Sequence, residues 1–258
     1  MPAELARNTR MPYGVTNAAP RQTMGNYGSI DPTWARQIAL EYIDNNDAIA
    51  LTENGSATVA LTTGVGGAGL LTTGATANTL GAASTAQAIF QVPTTSNGLG
   101  RMFFKWSGSI DSLVGTLQVG FVASAASSPQ GIYIQSTVTT GALSGIIKNG
   151  SGTTTVPFPS NLALVAGTVV ELGIEVDFEG NVFFFYNPTT GNVQPNTNGT
   201  IANGPVAAAY NQINGALNPA MFLPASALFA SQGAIPTTAV ARAVTIQFFV
   251  AAQQFGAY

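Results

Sequence analysis

ELGIEVDFEGNVFFFYN, Glu171 to Asn187, is the stretch that decides the fold. Leu172, Ile174, Val176 and Phe178 are apolar, and Glu171, Gly173, Glu175, Asp177 and Glu179 lie between them. Side chains of a β-strand point alternately to the two faces of its sheet. Period-two alternation therefore predicts a strand with one face in the core and the other in water. Glu179-Gly180-Asn181 supplies a turn, and Val182–Tyr186 returns as the antiparallel partner. On that partner Phe183 and Phe185 share one face, while Val182, Phe184 and Tyr186 share the other. Both faces are apolar, which places the partner centrally or beneath a further layer.

The same grammar of short β-like runs, separated by Gly, Asn, Ser and Pro, begins at Leu51. Candidate strands are Thr58–Thr62, Gly69–Thr72, Ala88–Val92, Arg101–Ser107, Thr116–Ala123, Gly131–Gln135, Ser144–Lys148, Thr168–Asp177, Asn181–Tyr186 and Ala243–Ala251. Such a series, with turns every eight to twelve residues, predicts an all-β antiparallel sandwich or barrel over residues 51–258 rather than an α/β fold. Residues 187–242 are rich in Pro, Asn and Ala and carry one charge, Arg242. They read as a long irregular excursion with a short helical piece near Ala225–Ser231.

Residues 1–50 read differently. Pro2, Pro12, Pro20, Gly14, Gly25 and Gly28 interrupt any apolar period, which predicts an extended N-terminal arm. Asp31-Pro32 then opens one short helix: Asp31 caps, Pro32 suits the first turn, and Trp34, Ile38 and Tyr42 recur at helical spacing through Ile43. Arg7, Arg10, Arg21 and Arg36 face only Glu4 and Asp31 over the first 36 residues, whereas acids outnumber bases in the remainder. The arm is either a loose terminus or a basic strap laid across an acidic neighbour.

Composition closes many functional classes. Of 258 residues, 46% are apolar and 7% are charged, with a formal net charge of −3. Soluble domains average about 25% charged residues. There is no Cys and no His, so disulfides, thiolate metal sites, Cys nucleophiles, His triads and His-ligated zinc are excluded by inventory. No basic excess is available to hold nucleic-acid phosphates. The apolar runs are too broken by Gly, Pro, Asn and Thr to span a membrane, and Met1–Arg10 lacks the apolar segment of an export signal. Mean hydropathy is +0.26, against disorder. No cofactor or metal is expected. A surface kept polar by Thr, Ser, Asn and Gln resists self-association poorly. It suits a protein packed against neighbours.

Gly64-Val65-Gly66-Gly67-Ala68-Gly69 fits the spacing of a dinucleotide-binding loop, but that chemistry needs a following helix and an acid about 20 residues on. Leu70-Leu71-Thr72 reads as strand and the next acid is Asp111, so a glycine-rich hairpin is expected. Asp44-Asn45-Asn46-Asp47 offers oxygen ligands without the spacing of a calcium loop, and reads as the helix C-terminal turn. The N-x-S/T matches at Asn54, Asn149 and Asn198 reflect a chain full of Asn and Thr.

Glu175-Val176-Asp177-Phe178-Glu179 resembles the E-x-D-x-E signature of retaining β-glucanases built on the concanavalin-like sandwich. That resemblance implies nucleophile, assisting acid and general acid at Glu175, Asp177 and Glu179. Such chemistry wants two carboxyl groups about 5–5.5 Å apart. The solvent face of an alternating strand accounts for the same spacing without catalysis.

A broader resemblance lies in GLLTTGATANTLGA (Gly69–Ala82), RMFFKWSGSIDS (Arg101–Ser112), LQVGFVAS (Leu117–Ser124), GIYIQ (Gly131–Gln135), Val169–Asn187 and ARAVTIQFFVAAQ (Ala241–Gln253). Their order is similar to that in head decoration, or cement, proteins of tailed bacteriophages with a concanavalin-like (laminin-G-like) sandwich. The resemblance implies a non-enzymatic virion protein on the head exterior. Its partners would be the major capsid protein and copies of itself, with no nucleic acid or membrane and a homo-oligomer on the particle. Arg7, Arg10, Tyr13, Arg21, Trp34 and Arg36 are the expected arm contacts. The alternative is a carbohydrate-binding or β-glucan-cleaving module of a phage fibre, using the Glu175/Asp177/Glu179 face.

Overall fold

The structure is a computed structural model that describes residues 34–41, 51–62, 68–94, 99–177, 180–186, 204–205, 212–213, 216–217 and 222–255. The described residues form strands and connections. In chain order the strands are β1 (Trp34–Glu41), β2 (Leu51–Asn54), β3 (Thr58–Thr62), β4 (Ala68–Thr72), β5 (Gly81–Thr85) and β6 (Leu99–Ile110). Next come β7 (Gly115–Val122), β8 (Gly131–Ser136), β9 (Leu143–Lys148), β10 (Thr153–Pro157), β11 (Val170–Val176) and β12 (Val182–Tyr186). Two-residue β13 (Gly204–Pro205), β14 (Gln212–Ile213) and β15 (Ala216–Leu217) precede the long β16 (Phe229–Pro236) and β17 (Ala243–Phe255).

One sheet runs β13-β12-β11-β6-β17-β4-β3, with β1 added beside β17; the other runs β10-β9-β8-β7-β16-β5-β2. All the pairings are antiparallel. Between the two sheets lies the main apolar core. Met102, Phe104, Trp106 and Ile110 of β6 and Leu172, Ile174 and Val176 of β11 meet Leu117, Val119 and Phe121 of β7 and Ile132 and Ile134 of β8. Phe104 meets Phe121 edge to face across the layers, with centroids 5.6 Å apart. This is one of the geometries aromatic quadrupoles favour.

At Gly145 on β9 the two sheets close tightly around the Phe184 ring of β12. A Cβ there would lie 2.4 Å from the Phe184 ring, so only glycine leaves room for the aromatic side chain that β12 sends inward.

Several expectations change. Trp34–Glu41 is not helical: it is β1, paired with β17 from Trp34↔Gln254 to Glu41↔Phe248. The reason is long-range. On one edge of β17, β4 covers only Ala243–Ile246, which leaves the backbone groups of Phe248–Gln254 to be satisfied by another strand. The β6–β17 register shifts between Ile246 and Phe248, where β4 gives way to β1, and Gln247 accepts a hydrogen bond from Ser107 Oγ (3.0 Å). That tertiary demand outweighs a local capping signal.

The 187–242 excursion is likewise not wholly irregular, nor is Ala225–Ser231 helical. Phe229–Pro236 forms β16, which sits between β7 and β5 in the middle of its sheet. Ala88–Val92 contributes an isolated bridge, Phe90↔Leu228, rather than a strand. Residues 1–33 and 42–50, including Asp31-Pro32 and Asp44–Asp47, lie outside the described residues.

Candidate functional site

The hairpin that carries the acidic signature forms in the expected register. β11 and β12 pair from Leu172↔Tyr186 to Val176↔Val182, and β6 flanks β11 on its other side. Gly180 closes the connection with φ of +82°, in the left-handed region that glycine occupies without a Cβ penalty. The Asp177 N–H donates to the Asn181 carbonyl (3.0 Å) and the Gly180 N–H to the Asp177 carbonyl (3.0 Å).

The outward face of this hairpin is not the water face that alternation predicts. Glu175 is 1% exposed and Asp177 3% exposed. Register sets Glu175 between Phe103 of β6 and Phe183 of β12, both also buried. Lys105, on the same outer face, is 3% exposed. Its Nζ lies 3.8 Å from Glu171 Oε2. Burial pulls the Lys105 ammonium below the usual lysine range, and the Glu171 carboxylate partly draws it back. Apolar neighbours on both flanking strands thus turn a strand face read as solvated into a second buried layer.

The roles of the acids follow from their partners. Asp177 Oδ1 accepts from the Asn181 backbone N–H (2.8 Å) and Oδ2 from the Asn181 side-chain amide (2.9 Å). Both oxygens are thereby engaged in closing the turn. Glu175 and Asp177 stand on the same sheet face, but neither is open to a ligand in this form of the chain. Glu179 lies outside the described residues. Of the arm residues, Arg7, Arg10, Tyr13 and Arg21 lie outside them, while the backbone of Trp34 and Arg36 belongs to β1. Among the described residues no three acidic side chains gather as a metal site, and no helix is long and apolar enough to cross a membrane.

Gly64–Gly67 lie outside the described residues, and Ala68–Thr72 is strand β4 rather than a phosphate-facing helix.

Three buried glutamines, Gln118, Gln232 and Gln253, went unnoticed in the sequence. Gln253 is fully buried and clasps the 91 segment: its Oε1 accepts from the Gln91 N–H (3.0 Å) and its Nε2 donates to the Gln91 carbonyl. Gln232 of β16 lies in register with Val119 and Ala83, both core residues, so its amide enters the core layer. Amides in alternating apolar runs are the only sequence signal for such positions.

Two layered antiparallel sheets of this order define the class: a lectin-like, concanavalin-like β-sandwich. The chain is similar in fold to a protein of unknown function from Shewanella oneidensis MR-1, at 13% identity and a TM-score of 0.54, over 93% of this chain and 96% of that one. It is also similar to arcelin-5, a lectin-like defence protein of Phaseolus vulgaris, at 12% identity and 0.52, over 85% and 98%. A third likeness is to the Crh5 transglycosylase in complex with NAG, at 11% identity and 0.52, over 86% and 87%. Identities this low establish a shared fold, which serves binding proteins and enzymes alike. No protein-family model matches the sequence, and no curated protein matches it.

Proposed function

We propose that this chain is a non-enzymatic structural protein of a virus particle, a decoration or cement subunit on the exterior of a tailed-phage head. It is held by contacts with the major capsid protein and with copies of itself. One observation carries the reading: the described body has scarcely any surface charge. Its bases are Arg36, Arg101, Lys105, Lys148 and Arg242 and its acids Glu41, Glu53, Asp111, Glu171, Glu175 and Asp177, of which Lys105, Glu175 and Asp177 are buried. Covering charged surface costs desolvation at each unpaired ion. A surface with so few ions is inexpensive to cover and poorly defended when bare.

The segments that resemble phage decoration proteins support the reading, and the arm expected from the sequence of residues 1–50 is consistent with it. Ordering an extended arm costs about 1–2 kcal/mol per residue, so Arg7, Arg10, Tyr13 and Arg21 order against a partner. Trp34 and Arg36 carry the contact onto strand β1.

The test is composition and truncation. Particles purified from the source culture should contain the chain in many copies, and deleting residues 1–30 should abolish particle binding while the sandwich stays folded. Absence from particles overturns the reading, and full binding by the truncated chain overturns the role of the arm.

The lectin-like fold favours a second reading, a carbohydrate-binding or β-glucan-cleaving module of a phage fibre using Glu175, Asp177 and Glu179, which requires the buried Glu175 and Asp177 to be uncovered before a glycan reaches them. Release of reducing ends from β-glucans, lost in Glu175→Gln, would displace the first reading.

A further inference from the structure

Six connections meet at one end of the sandwich: 55–57 between β2 and β3, 73–80 between β4 and β5, 111–114 between β6 and β7, 137–142 between β8 and β9, 158–169 between β10 and β11, and 237–242 between β16 and β17. The large apolar side chains that stand exposed among the described residues all lie on these connections. They are Val114, Val165, Val169 and Val240, between 42% and 61% exposed. Scattered exposed valines need no explanation, but four gathered at one end of a body mark a contact surface.

This end is electrically silent. Across the six connections the only ionised residues are Asp111 and Arg242, which face each other at 3.7 Å; Glu53 of β2, two positions before Gly55, accepts from the Val59 N–H (2.6 Å). The rest is Thr, Ser, Gly, Ala, Asn and apolar residues.

The end is also fixed in shape. Thr237 Oγ1 donates to the Val114 carbonyl (2.5 Å), the Thr139 N–H to Leu113 (2.8 Å) and the Gly167 N–H to Ile110 (2.8 Å). The Leu164 N–H donates to Gly141 (2.9 Å), the Asn78 N–H to Pro236 (2.7 Å) and the Thr73 N–H to Arg242 (2.9 Å). Every connection is tied to another connection or to a strand end. Such a surface pays little ordering entropy when it docks.

From this geometry we infer that the end bearing Val114, Val165, Val169 and Val240 is a docking surface for the same end of a second copy of the chain. Charge selects the occupant. A partner that brings ions here would bury them against a surface with no free counter-ion, where desolvation is not offset by pairing. The matching surface must therefore be neutral, with one acid and one base at most, already balanced. The same end of another copy meets that condition, and a two-fold arrangement closes after two copies. Size agrees as well. Seven strands about 4.8 Å apart, in sheets about 10 Å apart with side chains outside them, give an end of roughly 600 Å². Two such faces reach about 1,200 Å², the lower bound of stable specific interfaces.

The inference goes beyond the particle-binding reading and is tested apart from it. Sedimentation equilibrium of the full chain at about 100 μM should show dimer. Val165→Glu and Val240→Glu should each weaken dimerisation at least tenfold, because each buries an unpaired carboxylate. Their circular dichroism and unfolding midpoints should match the parent, since both valines are exposed and outside the core. A monomeric parent overturns the inference, as does self-association that both variants leave intact. Association lost on deleting residues 1–30 but unchanged in both valine variants assigns it to the arm and overturns the end-to-end contact. Binding of a monomeric parent to phosphatidylcholine vesicles or to particles, lost in the valine variants, assigns the surface to that partner instead.

Discussion

Asp177 binds Asn181 twice, once through the backbone N–H at 2.8 Å and once through the side-chain amide at 2.9 Å, both carboxylate oxygens being engaged. The pair closes the β11–β12 connection from within a buried site. Hydrogen bonds to a charged group contribute about 1.5–3 kcal/mol each in favourable cases, with the orphaned partner adding a desolvation cost when one side is removed. Asp177→Ala should therefore lower the free energy of unfolding by about 2–4 kcal/mol, read from urea denaturation. A variant as stable as the parent would show that the carboxylate does not hold the turn.

The contact of Gly145 with the Phe184 ring makes a steric prediction. A methyl group at 145 has no room unless the ring moves. Overpacking of this kind costs about 1–3 kcal/mol, so Gly145→Ala should destabilise by that amount. Phe184→Leu should recover part of the loss in the double variant while being destabilising alone. A strictly additive double-mutant cycle would mean that the two positions do not share the space.

Gln232 predicts a gain. Neither of its side-chain amide atoms has a hydrogen-bond partner among the described residues, and the residue is buried between Val119 and Ala83 in register. A buried polar group without a partner costs about 1–3 kcal/mol. Gln232→Met, of similar length and without the amide, should raise the unfolding free energy by about 1 kcal/mol or more. A loss of stability would show that the amide is satisfied in solution.

Lys105 makes stability depend on pH. Its folded-state pKa lies below 10.5 because burial disfavours the ammonium, against the opposing pull of Glu171. Between the two pKa values the unfolded chain holds the proton and the folded chain releases it, so this group's contribution to stability rises with pH up to about 10.5. Falling pH reverses it. Tyr133 and Tyr186, raised by burial, act in the opposite sense above pH 10. The difference between the parent and Lys105→Met isolates the lysine: it should shift in favour of the parent as pH climbs from neutral towards 10. A pH-independent difference would exclude the burial effect.

The β1 strand yields a contrast between two truncations. Deleting residues 1–30 leaves β1 in place, whereas deleting 1–41 strips the edge of β17 from Phe248 to Gln254. Unpaired strand edges template aggregation. The shorter deletion should remain soluble and fold cooperatively, and the longer one should aggregate or lose stability. Equal behaviour would mean that β1 adds nothing to the sheet.

The all-β class, the antiparallel layering and the strands from Arg101 to Tyr186 other than β10 were legible in the sequence, because their period is carried by large apolar residues at every second position. Leu172, Ile174 and Val176 announce their face locally, and the core takes it. Where the side chains are small, the pattern is silent. GAAST of β5 and FASQGAIP of β16 offer no alternating bulk, yet they lie in the middle of a sheet because β7 and β2 need partners there. TTTVP of β10 is nearly uniform in polarity and is defined by its pairing with β9.

What tertiary structure alone decided is the fate of groups whose surroundings lie far off in sequence. Trp34–Glu41 carries a helical spacing but serves the open edge of β17. Glu175 carries the spacing of a solvent-facing or catalytic acid but is enclosed by Phe103 and Phe183, 72 positions before it and eight after it. The gathering of Val114, Val165, Val169 and Val240 at one end was equally invisible, since they stand in three different connections. Periodicity is a local property and chooses the type of element. Burial, edge satisfaction and surface patches are properties of contacts between distant elements, and no stretch of sequence contains them.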